Sequence, residues 1–297
     1  MANNTQDFVN EITPVTSEVL FEEYNRRPEE YSRIYNVMNS GRNFEVDSQI
    51  EGLGSMPEKA EGTAVTFDSA KEGYQTTYNH TSYGMGFRIT KEMRQDDLSD
   101  KIMKLPKLLG TSAHQTVETT SADLFNNGFS TVTGGDSKAL FVTDHPSKYG
   151  LTNLSNTLAV QADLSATSLK DALIQFEDTN DARGLPLLQN AQTLVVPNAS
   201  RWTAQELLKS RQKPGSADND FNPLSEADLS WMVYHYLTDT DSWYLIGDTH
   251  FLKFYWRQKL AFDSTVDWET EDAKFKATMR YSSGHSDWRG TFGVSGA

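Results

Sequence analysis

The chain has 297 residues, with 27 basic and 41 acidic side chains and a net charge of −14. That charge repels DNA phosphates and gains nothing from counterion release, which excludes sequence-specific duplex binding. The absence of cysteine excludes disulfides, thiolate nucleophiles and cysteine metal sites. No apolar run approaches the ~20 residues of a membrane span. The start, MANNTQDFVNEIT, lacks the charged and apolar regions of a signal peptide. Fifteen Phe, 12 Tyr and 6 Trp provide contact area for a core, for subunit interfaces, or for both.

In chain order, Thr16 or Ser17 is expected to cap a helix through Val19, Leu20, Phe21 and Tyr24, ending at Pro28. Residues 48–83 carry few apolar side chains and are broken by Gly52, Gly54, Pro57, Gly62 and Gly73. Val65 and Phe67, then Tyr74, Thr76 and Tyr78, alternate weakly on either side of Ser69-Ala70, which predicts an extended two-stranded arm. A lone hairpin is marginal in water, so such an arm needs a partner surface.

Gly84 to Ile89 reads as a strand, and Thr90 opens a helical segment. Leu98, Ile102, Leu105, Leu109, Ala113 and Val117 recur every three or four residues, predicting a long helix of roughly 25 residues to Asn127-Gly128. Pro106 is expected to kink it, and Gly110 to weaken it. Ala139–Val142 reads as a short strand within a loop-rich stretch.

Ser168, with Asp171, is expected to cap a helix that ends at Gly184. Thr193–Val196 reads as a buried strand bounded by Pro197, and Asn198 or Ser200 as the cap of a second helix through Trp202, Leu207 and Leu208. Gln212 to Ser225 reads as a loop. Trp231–Leu237 and Trp243–Ile246 are expected to pair around Asp239–Ser242. Helices alternating with strands describe an α/β module over 165–248. From Ala273 to Tyr281, apolar residues alternate with Lys274, Lys276, Thr278 and Arg280, predicting a strand with a basic outward face.

Chemistry is sparse. Gly84-Met-Gly86 and Gly52-Leu-Gly54 begin a dinucleotide fingerprint, but Ile89 and Pro57 stand where its third glycine belongs. His285-Ser286-Asp287 are sequence neighbours that cannot form a triad, and Trp288 breaks the nucleophile-elbow spacing; a satisfied turn is the reading. The six histidines lack helical zinc spacing. Asp239 and Asp241 start a calcium loop that Trp243 and Tyr244 do not continue. A glycosidase-type carboxylate pair stays open. No catalytic residue, metal ligand or cofactor site is expected.

The ordered set of parts resembles the major capsid proteins of tailed double-stranded-DNA phages, the Hong Kong 97-like fold, and within them the Mu-like major head subunits. The residues that carry the likeness are Leu194-Val-Val-Pro197 leading into a helix at Trp202, Asn222-Pro223-Leu224, Tyr244-Leu245-Ile246, and Asp287-Trp288-Arg289-Gly290. The resemblance implies an α+β fold: an N-terminal arm (1–47), an extended loop (48–83), a peripheral domain with the spine helix (84–164), an axial domain (165–248), and peripheral C-terminal strands (249–297).

It further implies assembly contacts through Gly52, Gly54, Pro57, Lys59, Glu61, Phe67, Lys71 and Tyr74 of the extended loop. Lys213, Pro214, Asp218 and Asp220 would lie in an axial loop, and Leu98, Ile102, Leu105 and Leu109 would form the spine. Lys59 and Lys71 have no nameable cross-linking partner, so covalent cross-linking is not expected. The implied protein is a non-enzymatic subunit of an icosahedral shell of hexamers and pentamers, made in the bacterial cytoplasm and resident in the virion. Its implied partners are copies of itself, scaffold, portal and decoration proteins, and packaged DNA touched without sequence preference; no membrane is involved. A compartment shell with protein cargo is the nearest alternative, a tail or other virion component a weaker one, and a carboxylate hydrolase the alternative from another class.

Overall fold

The computed structural model describes residues 5–96, 102–131, 134–151, 154–212 and 220–297. Along the chain, helix α1 (Thr5–Asn25) and a 3-10 turn (Tyr31–Arg33) precede strands β1 (Asn36–Asn39), β2 (Phe44–Glu51), β3 (Lys71–Asn79) and β4 (Thr81–Ile89). A short helix α2 (Lys91–Gln95) follows, then α3 (Lys104–Asn126) and, after a long irregular stretch, α4 (Ala166–Glu177). Strand β5 (Ala191–Val196), α5 (Arg201–Lys209), β6 (Ser230–Val233), β7 (Trp243–Gly247), β8 (Leu252–Val266), β9 (Ala273–His285) and β10 (Thr291–Val294) complete the order.

Several local signals act as expected. The Thr90 hydroxyl caps α2 by accepting from the Met93 amide at 3.2 Å. In β9 the apolar set from Ala273 to Tyr281 is buried while Lys274 and Lys276 are exposed.

Other signals are overruled. Thr16 sits inside α1, not at its start, and its hydroxyl donates to the Thr13 carbonyl. The long helix begins at Lys104, so Pro106 falls in its first turn, where a missing N–H costs nothing and no kink follows. Leu98 lies outside the described residues. The cap of α4 is Ser165, in a reciprocal pair with Ser168, and Asp171 plays no part in it. Neither Asn198 nor Ser200 caps α5 through its side chain; a 3-10 turn over Asn198–Ser200 leads in instead. Residues 139–142 form no regular strand, although Leu140 and Phe141 are buried.

The strands form a sheet in the order β1-β8-β9-β4, a second in the order β10-β7-β5-β6, and the two-stranded pair β2-β3. β6 and β7 do not pair; β5 lies between them, parallel to β6 and antiparallel to β7. The arm's strands are β2 and β3, so the connecting residues 52–70, which include Val65 and Phe67, have no strand of their own.

The chain divides into two compact units, one of Met1–Glu45, Tyr78–Ser121 and Phe254–Ser283, the other of Val46–Thr77, Ala122–Lys253 and Gly284–Ala297. The expected boundaries at 164 and 249 both fall inside the second unit, and the expected C-terminal segment is split, with β10 beside β7.

In the first unit, Leu20 of α1, Leu109 of α3 and Ala277 of β9 pack together. Ile102 and half-buried Leu105 join Ile89 and Phe275. Gly110 is the point of closest approach: a Cβ there would stand 2.6 Å from the Leu20 carbonyl oxygen. Glu118 of α3 accepts from the Glu30 and Tyr31 amides at 2.7 and 3.1 Å, which fixes the 3-10 turn. Burial pushes its carboxyl up to about 7, against the pull of those two donors.

In the second unit, Leu169 and Phe176 of α4 and Ala204 and Leu208 of α5 pack with Leu194, Trp243, Leu245 and Phe292 of the sheet. Each such side chain contributes roughly 1.5–3 kcal/mol on burial.

Candidate assembly surfaces

A catalytic centre is the first possibility to test. In the second unit, His145 Nδ1 lies 2.7 Å from Asp136 Oδ2 and its Nε2 lies 3.2 Å from Asn156 Oδ1. His285 is buried nearby and held at about 4 by desolvation, hence neutral at pH 7. Burial also raises the carboxyl of Glu51. The cavity beside these groups measures about 10 Å³, room for one water and for no substrate. Trp288 stacks on His145 and closes it. The His285-Ser286-Asp287 stretch is therefore a buried polar buttress, more deeply set than the turn its sequence suggests. Among the described residues no group of acidic and histidine side chains is placed to hold a metal ion. No helix among them is long and apolar enough to cross a membrane.

Of the two glycine pairs, Gly86 has a backbone reason, while a Cβ at Gly52 would meet nothing within 4 Å. Gly86 of β4 faces β9 so closely that a Cβ would meet the Phe275 carbonyl at 2.5 Å. The basic outward face of β9 finds partners within its own unit. Lys274 pairs with Asp267 and Lys276 with Asp263 at 3.4 Å, while the Arg280 guanidinium donates to Asn43 at 2.9 Å.

The unsatisfied surface lies elsewhere. In the segment 52–70, Met56 is 97% exposed and Phe67 93% exposed, with Val65 and Leu53 also out in solvent. Gly52, Pro57, Lys59 and Glu61 are exposed as well, and Gly62 takes a positive φ of 77° in the turn that Thr63 closes on Ala60. Large apolar side chains exposed close together in sequence are candidates for a contact site.

The root of this segment is held by its own unit. Asp68 accepts from the Gly54 amide at 2.9 Å and from Arg183 Nη1 at 2.6 Å and Nη2 at 3.2 Å. The Gly54 amide and then the guanidinium hold the Asp68 carboxyl below the usual range. Lys71 donates its amide to the Tyr149 hydroxyl at 3.2 Å and places its ammonium over the Tyr149 ring. Half-buried Tyr74 lies under the Lys148 ammonium. The arm thus folds partly on its own subunit, and its tip, like Ile50 of β2, is exposed there.

The remaining expected contact residues are scattered. Ile102, Leu105 and Leu109 face their own core. Lys213, Pro214 and Asp218 lie outside the described residues. Asp220 is exposed beside the Gln212–Phe221 bridge that closes the loop's neck. Asn222 is a residue whose role the sequence did not disclose. It is buried and donates to the Leu207 and Ser210 carbonyls at 2.8 and 2.9 Å while accepting from the Leu224 amide.

The whole architecture is shared with known shell proteins. The capsid of the cyanophage P-SCSP1u matches with a TM-score of 0.62 at 12% identity, over 91% of this chain and 89% of that one. The virus-like particle from Pyrococcus furiosus matches at 0.57 and 9% identity, over 94% and 97%. The capsid of the Myoviridae phage XM1 matches at 0.51 and 10% identity, over 88% and 90%. At identities this low, the TM-scores and coverage show a common fold and nothing more. No curated protein sequence matches the chain. The sequence profile of the phage capsid protein family matches residues 73–294, and the chain belongs to that family.

Proposed function

We propose that the chain is the major head subunit of a tailed phage and closes an icosahedral shell around double-stranded DNA. The family places it in the virion as a structural protein and not as an enzyme. The observation that carries the assembly reading is the apolar tip of the 52–70 segment, exposed at Met56 and Phe67 on a subunit whose other large apolar groups mostly fill two cores. Repeated heterologous contacts of one kind close a shell when the rotation between copies closes. Many weak contacts per subunit add up through effective concentration.

In this reading residues 48–83 reach a neighbouring copy, the helix from 104 is the spine of the peripheral domain, and residues 165–248 form the axial domain. Residues 1–47 form the N-terminal arm. Scaffold, portal and decoration proteins are the partners a phage head requires. The −14 charge suits a container that holds DNA without gripping it. The Mu-like assignment rests on the ordered motifs, among them Leu194–Pro197 running from β5 toward α5 and the Asn222-Pro223 pair.

Electron microscopy of the purified chain tests this. Closed particles are expected, and Met56→Ser with Phe67→Ser should abolish them while leaving a folded subunit. A uniform 33.4 kDa species under all assembly conditions overturns the reading. A shell of this fold need not be a phage head, since the virus-like particle from Pyrococcus furiosus matches nearly end to end, and a protein-cargo compartment is the second reading. Nuclease-protected DNA inside particles recovered from infected cells separates the two.

A further inference from the structure

The root of the exposed segment is built more elaborately than a surface ion pair requires. The two ends of the loop meet at Asp68, whose Oδ2 accepts from the Gly54 amide 14 residues earlier and whose Oδ1 accepts from the Ser69 amide at 2.8 Å. Arg183, 115 residues away in sequence, grips both oxygens of that carboxylate and also donates to the Ser69 carbonyl at 2.9 Å. Its guanidinium lies over the Tyr149 ring, 4.3 Å from the centroid, and donates to the Tyr149 hydroxyl at 2.8 Å.

Arg183 is itself rigidly presented. It sits in a tight turn where Asp181 Oδ1 accepts from the Arg183 and Leu185 amides at 2.7 and 2.8 Å, and Gly184 supplies a φ of 85°. Tyr149 is tied to the same turn, because Ser147 donates to the Ala182 carbonyl at 2.6 Å and accepts from the Tyr149 amide. Gly54 has a steric reason as well: a Cβ there would come within 3.0 Å of Arg183 Nη1.

We infer that Asp68 and Arg183 form a clasp that closes the neck of the 54–68 loop and fixes the direction in which its apolar tip leaves the subunit. Arg183 is thereby a positioning residue for assembly. This rests on the shell reading above and adds to it a specific control point. A closed neck removes most of the orientations available to the tip, so a larger fraction of free subunits is ready to dock. Apparent affinity rises in proportion to that fraction, and a shell repeats the contact at every subunit. The Asp68 side chain is 43% exposed, so water screens the pair and its contribution to folding is small. Its effect is on geometry.

The test compares the full chain with Arg183→Ala, Arg183→Lys and Asp68→Asn, measuring the subunit concentration at which half the protein enters particles. Thermal unfolding of dilute subunits runs in parallel. Arg183→Ala should raise that concentration about tenfold with an essentially unchanged unfolding midpoint. Arg183→Lys keeps the charge but loses the fork geometry and should fall between. Limited proteolysis of the dilute subunits should cut within 55–67 faster once the neck is open. Assembly of a folded Arg183→Ala subunit within twofold of the unmodified chain overturns the inference. If Arg183→Ala does not fold, Asp68→Asn decides, because its side-chain oxygen still accepts the Gly54 amide. Failure of the unmodified chain to form particles would instead remove the shell reading, and the clasp's purpose with it.

Discussion

The indole of Trp288 lies flat on the imidazole of His145, with ring centroids 4.4 Å apart and planes 7° from parallel. Trp288 is buried, and His145 is braced from the side by Asp136 and Asn156. Removing the indole opens a large cavity over a polar group that has no room to reach water. Trp288→Ala should therefore cost about 3–5 kcal/mol in urea unfolding, whereas Trp288→Phe keeps the stack and should cost less than half of that.

The two units should respond to pH in opposite directions. Burial holds His285 at about 4 in the folded chain, below its ordinary value, with Asp136, His145 and Asp287 as its charged neighbours. Its contribution to stability is present above about pH 6.5 and is lost as pH falls toward 4. Glu118 is raised to about 7, with Glu29 and Glu30 nearby, so its contribution is present below about pH 4.5 and is lost as pH rises through 7. The windows overlap between about pH 4.5 and 6.5, where the two contributions, each on the order of 2 kcal/mol, oppose one another. Glu118→Gln should remove the loss above pH 4.5 and leave urea-unfolding stability rising from pH 4 to 6.5.

Asn222 ties the end of α5 to the turn at Pro223 by three hydrogen bonds from one buried side chain. Asn222→Ala leaves two carbonyls and an amide unpaired and should cost about 2–4 kcal/mol. Asn222→Asp should be no better, because it turns a carboxylate oxygen toward the Leu207 and Ser210 carbonyls. Urea midpoints at pH 7 distinguish these from the near-neutral effect expected of exposed Asp220→Ala.

Gly110 marks where α1 and α3 touch. Alanine favours an ordinary helix position by about 1 kcal/mol over glycine. Here the added methyl meets the Leu20 carbonyl oxygen and backbone must shift, so Gly110→Ala should destabilise by about 1–3 kcal/mol instead. Exposed Thr119→Ala on the same helix should be neutral or slightly stabilising, and thermal melts of the pair give the comparison.

How much was legible follows from where burial leaves a period. β9 alternates because one face is in the core, and the α3 stripe through Leu109, Ala113 and Val117 repeats because that face is buried. β3 lies where Tyr74, Thr76 and Tyr78 alternate, but β2 exposes its apolar Phe44, Val46 and Ile50, and the arm's first strand is expected from the sequence too near the tip, at Val65 and Phe67. β6 and β7 looked like a hairpin because neighbours in sequence usually pair, but β5 takes the place between them. The clasp was invisible for a simpler reason. Nothing in a linear reading connects Asp68 with Arg183; only the fold brings them together.

Each compact unit is stitched from three separate stretches of chain, and both draw on residues beyond 253. β1 and β4 gain their neighbours only when β8 and β9 exist, and β7 gains β10 later still. A nascent chain still short of these strands has no finished sheet with which to recognise another. Long-range closure of this kind makes folding slower. A chain without β8, β9 and β10 therefore lacks both finished four-stranded sheets of the subunit.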